Sequence, residues 1–147
     1  MLELKNISIT LLQNSRKITD NFSFTLNRGE KAAIIGEEGN GKSTLLKMIY
    51  DDGLISGYAE YSGEIIKKGS IGYLAQMIDE KYSDKTAEEY LDTDEISSYG
   101  GLFSELGLNL ELLGHQKIRT MSGGERVKLQ LAKILMSNPD ILLLDEP

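Results

Sequence analysis

The sequence predicts an α/β fold, and three observations predict it. "KAAIIGEEGNGKSTLLKMI" (31–49) sets an apolar run, a glycine-rich turn and a helical segment in succession. "SGGERVKLQLAKILM" (122–136) carries a helix start followed by a helical apolar period. "ILLLDEP" (141–147) is a short apolar strand that delivers two carboxylates at its end. Strands alternating with helices in this way bury both against a shared core. The 147 residues are enough for one domain with a substantial core.

The elements follow in order. Leu2, Leu4, Ile7 and Ile9 alternate imperfectly with polar residues, and Phe22, Phe24 and Leu26 alternate cleanly. Both segments read as half-buried strands. "QNSRKITDN" (13–21) reads as a polar turn between them, and "NRGE" (27–30) as a second turn. Lys31 to Ile35 suits a short buried parallel strand. Ser43 to Tyr50 has helical composition and stops at Asp51-Asp52-Gly53. Residues 54–74, rich in Gly, Ile and Tyr, predict two or three short strands ending near "SIGYLAQ" (70–76). Acids and leucines dominate from Met77 to about Ile118 and predict short helices. Ser122 to Met136 is the clearest helix. Ser122 and Glu125 form a Ser-x-x-Glu capping box, Val127, Leu131, Ile134 and Leu135 share a face, and Asn138-Pro139 ends the helix. Ile141 to Leu144 reads as a buried strand.

Composition narrows the function. Sixteen basic and 23 acidic residues leave a net charge of −7, which disfavours a general nucleic-acid backbone binder but allows a local anion site. The absence of cysteine excludes disulfides and thiolate metal sites. The apolar runs are too short to span a bilayer, and the N-terminus has no apolar signal core. The expected location is cytoplasmic, with no direct membrane insertion.

Gly36-x-x-x-x-Gly41-Lys42-Ser43 matches the P-loop pattern, and it sits between an expected strand and an expected helix. Glycines let the backbone curl so that successive N–H groups face phosphate oxygens, and the helix start adds partial positive charge. Lys42 would reach the outer phosphates, and the Ser43 hydroxyl would ligate Mg²⁺. Glu37 and Glu38 occupy positions the pattern leaves free. A carboxylate about 6 Å from a phosphate charge costs on the order of 1–3 kcal/mol at an effective dielectric of 20–40, so both should point to solvent. At the end of "ILLLDEP", Asp145 suits a Walker-B role, holding Mg²⁺ through water, and Glu146 suits a base or water-positioning role for the attacking water. "MSGGER" (121–126) offers a second anion-binding helix start. There Ser122 is the cap, and Gly123 and Gly124 leave the first-turn N–H groups unshielded.

P-loop, "YLAQ", "SGGE" and "LLLLDEP", in that order, resemble the nucleotide-binding domain of ATP-binding-cassette (ABC) proteins along the whole chain. The resemblance implies an α/β P-loop NTPase and a C-terminally incomplete cassette, with a mixed-sheet core of 1–76 and 121–147, a small helical subdomain of about 77–120 and the signature helix starting at 122. It implies that Gly36, Glu37, Glu38, Gly39, Asn40, Gly41, Lys42, Ser43 and Thr44 wrap ATP. Gln76 would touch Mg²⁺ and the attacking water. Ser122, Gly123 and Gly124 would bind the γ-phosphate of ATP held by a second cassette in a head-to-tail pair. Glu146 and Gln76 are then the catalytic residues, Ser43, Gln76 and Asp145 the metal ligands, and ATP with Mg²⁺ the cofactors.

Within the family the chain is most similar to the N-terminal cassette of ABC-F proteins, soluble two-cassette ATPases that mostly act on ribosomes. Glutamate after the glycine pair and the 80 residues from Lys42 to Ser122 (122 − 42) point that way. The alternatives are the ATP-binding subunit of a membrane transporter, partnered by a transmembrane subunit, and a nucleotide switch without turnover. Leu11 stands where an aromatic residue often stacks on adenine, and Met121 replaces the usual leucine. His115 precedes the signature, so it is not the family's switch histidine. By the same resemblance the complete cassette hydrolyses ATP, whereas this chain alone is expected to bind it and turn it over barely.

Overall fold

A computed structural model describes residues 1–146. Packing divides them into two units, Met1–Tyr73 with Asp140–Asp145, and Leu74–Pro139 with Glu146.

In the first unit β1 (Leu2–Leu11) lies between β2 (Lys17–Leu26) and β3 (Ala59–Lys67), antiparallel to both. Leu2, Leu4, Ile7 and Ile9 all face the core at 2% exposure or less. The spacing breaks between Leu4 and Ile7 because β1 carries a bulge. Lys5 pairs with Glu64 but Ser8 with Ser62, so three steps on β1 match two on β3. Asn6 takes φ 51° there, and Gly63 opposite is required, since a Cβ would come within 2.6 Å of the Lys5 carbonyl oxygen. The bulge returns Ile7 to the buried face.

Helix α1 (Lys42–Tyr50) buries Leu45, Met48 and Ile49 in the same core as the β1 residues, Ile55, Ala59, Ile141 and Leu143. Each large apolar side chain fully buried contributes about 1.5–3 kcal/mol. A second, two-stranded sheet pairs β4 (Ile71–Leu74) with β5 (Ile141–Leu144). Its entry is fixed by Asp140, whose carboxylate accepts from both the N–H and the hydroxyl of Ser70 (2.8 and 3.0 Å).

The second unit holds three short helices, α2 (Ala87–Leu91), α3 (Gly100–Glu105) and α4 (Leu110–Leu113), and the long α5 (Gly123–Met136). Its core gathers Ala87, Tyr90, Leu91, Phe103, Leu108, Ile118, Met121, Leu129 and Ala132. Lys133 donates to the Tyr90 carbonyl and sits 4.4 Å from the Tyr90 ring centre, so its stem crosses this core while its charge is held.

Four sequence expectations need correction. Residues 31–35 form no strand, and Ile34 and Ile35 are 45% and 93% exposed. A strand needs a paired neighbour as well as apolar residues, and among the described residues none pairs there. The polar turn after β1 is shorter than 13–21, because Lys17–Asn21 already pair in β2. Strand β5 is covered on one side only, with Ile141 and Leu143 buried and Leu142 and Leu144 at 38% and 42%. The most buried positions of α5 are Leu129, Gln130 and Ala132, while Val127, Leu131, Ile134 and Leu135 are half-buried. Apolar residues stand on two sides of that helix, Val127, Leu131, Ile134 and Leu135 on one and Leu129, Ala132 and Met136 on the other, so its period alone could not choose a face. Residues 121–136 pack in the second unit, where Met121, Leu129 and Ala132 complete its apolar cluster.

Candidate functional site

The P-loop ends at Gly41, the N-cap of α1, with φ 81°. Glycine is needed here twice over: the conformation is left-handed, and a Cβ would lie 2.7 Å from Ile18 Cδ1. No side chain caps α1, and its first turn holds no acid. Helices α2 and α5 contrast with it, since both have complete capping boxes, Thr86 with Glu89 and Ser122 with Glu125. The start of α1 therefore keeps its unsatisfied N–H groups, the feature an anion site requires. Lys42 Nζ reaches back over the loop and donates to the carbonyls of Gly36 and Glu37, each at 2.7 Å. An ammonium has three donors, so one is left over. Gly36, Glu37, Glu38, Gly39 and Asn40 are all exposed, so the two acids do lie in solvent, and Thr44 is half-buried in the first turn of α1.

The P-loop meets the end of β5 through one carboxylate. Ser43 Oγ donates to Asp145 Oδ1 at 2.8 Å, joining positions 102 apart in sequence. Tyr73, on β4, donates its hydroxyl to the other oxygen, Oδ2, at 2.9 Å. Burial pushes the Tyr73 hydroxyl pKa well above its ordinary 10.0, and the hydrogen bond to Asp145 and that residue's charge push it further, so it remains a donor at neutral pH. Asp145 is only 4% exposed, and no cationic side chain pairs with it among the described residues. A buried carboxylate held by two neutral hydroxyls carries an uncompensated charge that a divalent cation would balance. Ser43 and Asp145 thus fit Mg²⁺. Among the described residues no cluster of three or more His, Asp or Glu could hold a metal alone. Magnesium commonly binds one or two carboxylates and takes its remaining ligands from water and phosphate.

Glu146 follows in the left-handed region at φ 51° and is exposed, and Gln76 Nε2 donates to its Oε2 at 2.8 Å. The left-handed backbone costs a glutamate about 1–2 kcal/mol, a strain common at functional positions. Pro147 lies outside the described residues. At the start of α5, Glu125 accepts from both the N–H and the hydroxyl of Ser122, each at 2.7 Å, and the Glu125 N–H donates to Ser122 Oγ at 3.3 Å. The Ser122 hydroxyl and N–H hold the Glu125 carboxyl below its ordinary 4.5. A Cβ on Gly123 or Gly124 would meet nothing within 4 Å, so both backbones face open space. Met121 is buried, Leu11 is half-buried at the end of β1, and His115 is 88% exposed beside Glu88 at 3.3 Å.

The structure brings Lys42, Ser43 and Asp145 together in one unit, and pairs Gln76 with Glu146 in the other. Tyr73 was missed in the sequence. It stands three places before Gln76, and nothing local announces its contact with a residue 72 positions on.

Comparison with known proteins gives the chain its family. The sequence family described as ABC transporter matches residues 19–147. The chain is 36% identical over 149 residues to the ribosome protection protein VmlR of Bacillus subtilis, covering 99% of this chain and 26% of that protein. It is 35% identical over 156 residues to the zinc import ATP-binding protein ZnuC of Vibrio cholerae, covering 100% of this chain and 55% of that protein. A solved ATP-binding subunit of an ABC transporter superposes with a TM-score of 0.79 at 24% identity, over 100% of this chain and 66% of its own, a likeness of fold. The chain thus spans about a quarter to somewhat over half the length of these curated relatives. No helix among the described residues is long and apolar enough to cross a membrane.

Proposed function

Because the chain belongs to the ABC family of ATP-binding cassettes, we propose that it binds MgATP and, paired with a second cassette, hydrolyses it. The observation that carries this reading is the Ser43–Asp145 hydrogen bond, which joins the P-loop helix to the acidic end of β5. The uncapped N–H groups of α1 and the Lys42 ammonium balance phosphate charge, and Gly36 to Thr44 wrap the nucleotide. Ser43 and Asp145 would hold Mg²⁺, and Gln76 is a further proposed ligand. When bound, Mg²⁺ neutralises charge on the phosphate oxygens during transfer. Glu146 accepts a proton from, or orients, the attacking water, and Gln76 holds the Glu146 carboxylate by its amide. Ser122 and the Gly123 and Gly124 N–H groups receive the γ-phosphate of a second cassette's ATP. For that the Ser122 hydroxyl exchanges its bond to Glu125 for one to phosphate.

The finer reading is a cytoplasmic ABC-F-like ATPase that acts on ribosomes. Similarity to VmlR supports it, as does 33% identity to the erythromycin resistance ATP-binding protein MsrA of Staphylococcus epidermidis. Similarity to ZnuC favours a second reading, the ATP-binding subunit of a transporter with a transmembrane partner. Glu146→Gln in the whole protein should keep ATP binding and stop hydrolysis. Pelleting that variant with ribosomes in ATP, and extracting it from membranes in parallel, separates the readings. Co-sedimentation supports the first, co-extraction with an integral membrane protein supports the second, and absence of ATP binding refutes both.

A further inference from the structure

Asp145 is held on both oxygens by donors from two different elements. Ser43, on Oδ1, sits in the first turn of α1 and is itself a nucleotide-facing residue under the reading above. Tyr73, on Oδ2, sits on β4, the strand hydrogen-bonded to the strand that ends at Asp145. The Tyr73 ring is braced by Tyr50 at the end of α1, centres 5.3 Å apart and planes at 30°. A carboxylate held at one oxygen still swings about its broad terminal torsion, and a bond on the second oxygen fixes its plane. Magnesium tolerates little departure from octahedral geometry, so a carboxylate fixed in advance binds it at lower ordering cost. We propose that Tyr73 is a positioning residue for the magnesium site, its hydroxyl fixing the Asp145 carboxylate before the ion arrives. Ser43 cannot do this alone, because its oxygen must also offer a lone pair to the ion. The inference rests on the MgATP reading and goes beyond it by giving Tyr73, the first residue of "YLAQ", a role of its own.

The test compares wild type, Tyr73→Phe, Asp145→Asn and the double variant in the whole protein. Binding of a fluorescent ATP analogue is measured in EDTA and across a titration of free Mg²⁺. Phenylalanine keeps the ring against Tyr50 and removes only the hydroxyl. Affinity in EDTA should stay within about twofold, while the Mg²⁺ needed for half-maximal enhancement rises about 10-fold, as for other residues that orient metal ligands. Mn²⁺ bound with ATP, read by electron paramagnetic resonance, should weaken in parallel. In the Asp145→Asn background, Tyr73→Phe should change the Mg²⁺ requirement no further. An unchanged Mg²⁺ requirement, or an equal loss in EDTA and in Mg²⁺, overturns the positioning role. A wild type that binds no nucleotide overturns the MgATP reading itself, a distinct result.

Discussion

Replacing Ser43 by alanine separates the structural work of the Ser43–Asp145 bond from its role toward Mg²⁺. The bond is 2.8 Å long, and its acceptor is a carboxylate only 4% exposed. Ser43→Ala leaves Asp145 buried with the single Tyr73 donor. Loss of one hydrogen bond to a charged buried group costs about 1.5–3 kcal/mol. For a chain of this size each kcal/mol moves the melting temperature by about 3–4 °C. The nucleotide-free protein should therefore melt about 5–12 °C lower, a loss that needs no magnesium or ATP to appear. Ser43→Thr keeps a hydroxyl at the same position and should recover most of it. Differential scanning fluorimetry in EDTA reads this directly, and adding MgATP then reads the second effect, a smaller ligand-induced rise for the alanine variant. If Ser43→Ala melts within about 1 °C of wild type in EDTA, the bond does not hold the two segments together, and the argument built on the buried carboxylate fails.

Three further outcomes follow from features already described. Glu125 is held below its ordinary 4.5 by Ser122, so its capping contribution is full above that value and is lost as pH falls through the lowered one. Melting curves between neutral and acid pH should accordingly show Glu125→Gln less stable than wild type at neutral pH, with the gap closing in acid. Gln130 is 6% exposed with its Nε2 unpartnered, so Gln130→Met should stabilise the fold by about 1–2 kcal/mol, a rise of about 3–8 °C in melting temperature, and a fall would reveal a partner for that amide. Glu38→Asn should tighten ATP binding by about 1 kcal/mol or less, shrinking at high salt in titration calorimetry, and weaker binding would mean Glu38 makes a useful contact.

What could be read from the sequence was mostly local. Ser122 and Glu125 lie one helical turn apart, so their capping box is written in four residues, and the structure forms it. The P-loop glycines and Lys42 were equally readable, because the turn is built from consecutive backbone. Non-local features were not. The bulge at Asn6 shows in the sequence only as a broken alternation, and its partner Gly63 is 57 positions away (63 − 6). Tyr73 looked like one more strand aromatic until the fold brought Asp145 to its hydroxyl. Residues 31–35 misled for the converse reason: the apolar signal was present and the pairing it presupposes was not.

Ile34 and Ile35 sit side by side in the open, in irregular backbone that makes no main-chain hydrogen bonds among the described residues. Such a run offers any passing chain both an apolar surface and unmet donors and acceptors, and so invites self-association. Two kinds of dimer could then form in one tube. One would assemble through this adhesive segment, indifferent to nucleotide and broken by Ile35→Lys. The other would assemble through Ser122 and ATP, dissolving in EDTA and untouched by that lysine. A sedimentation experiment that omits the EDTA lane would count the first as the second.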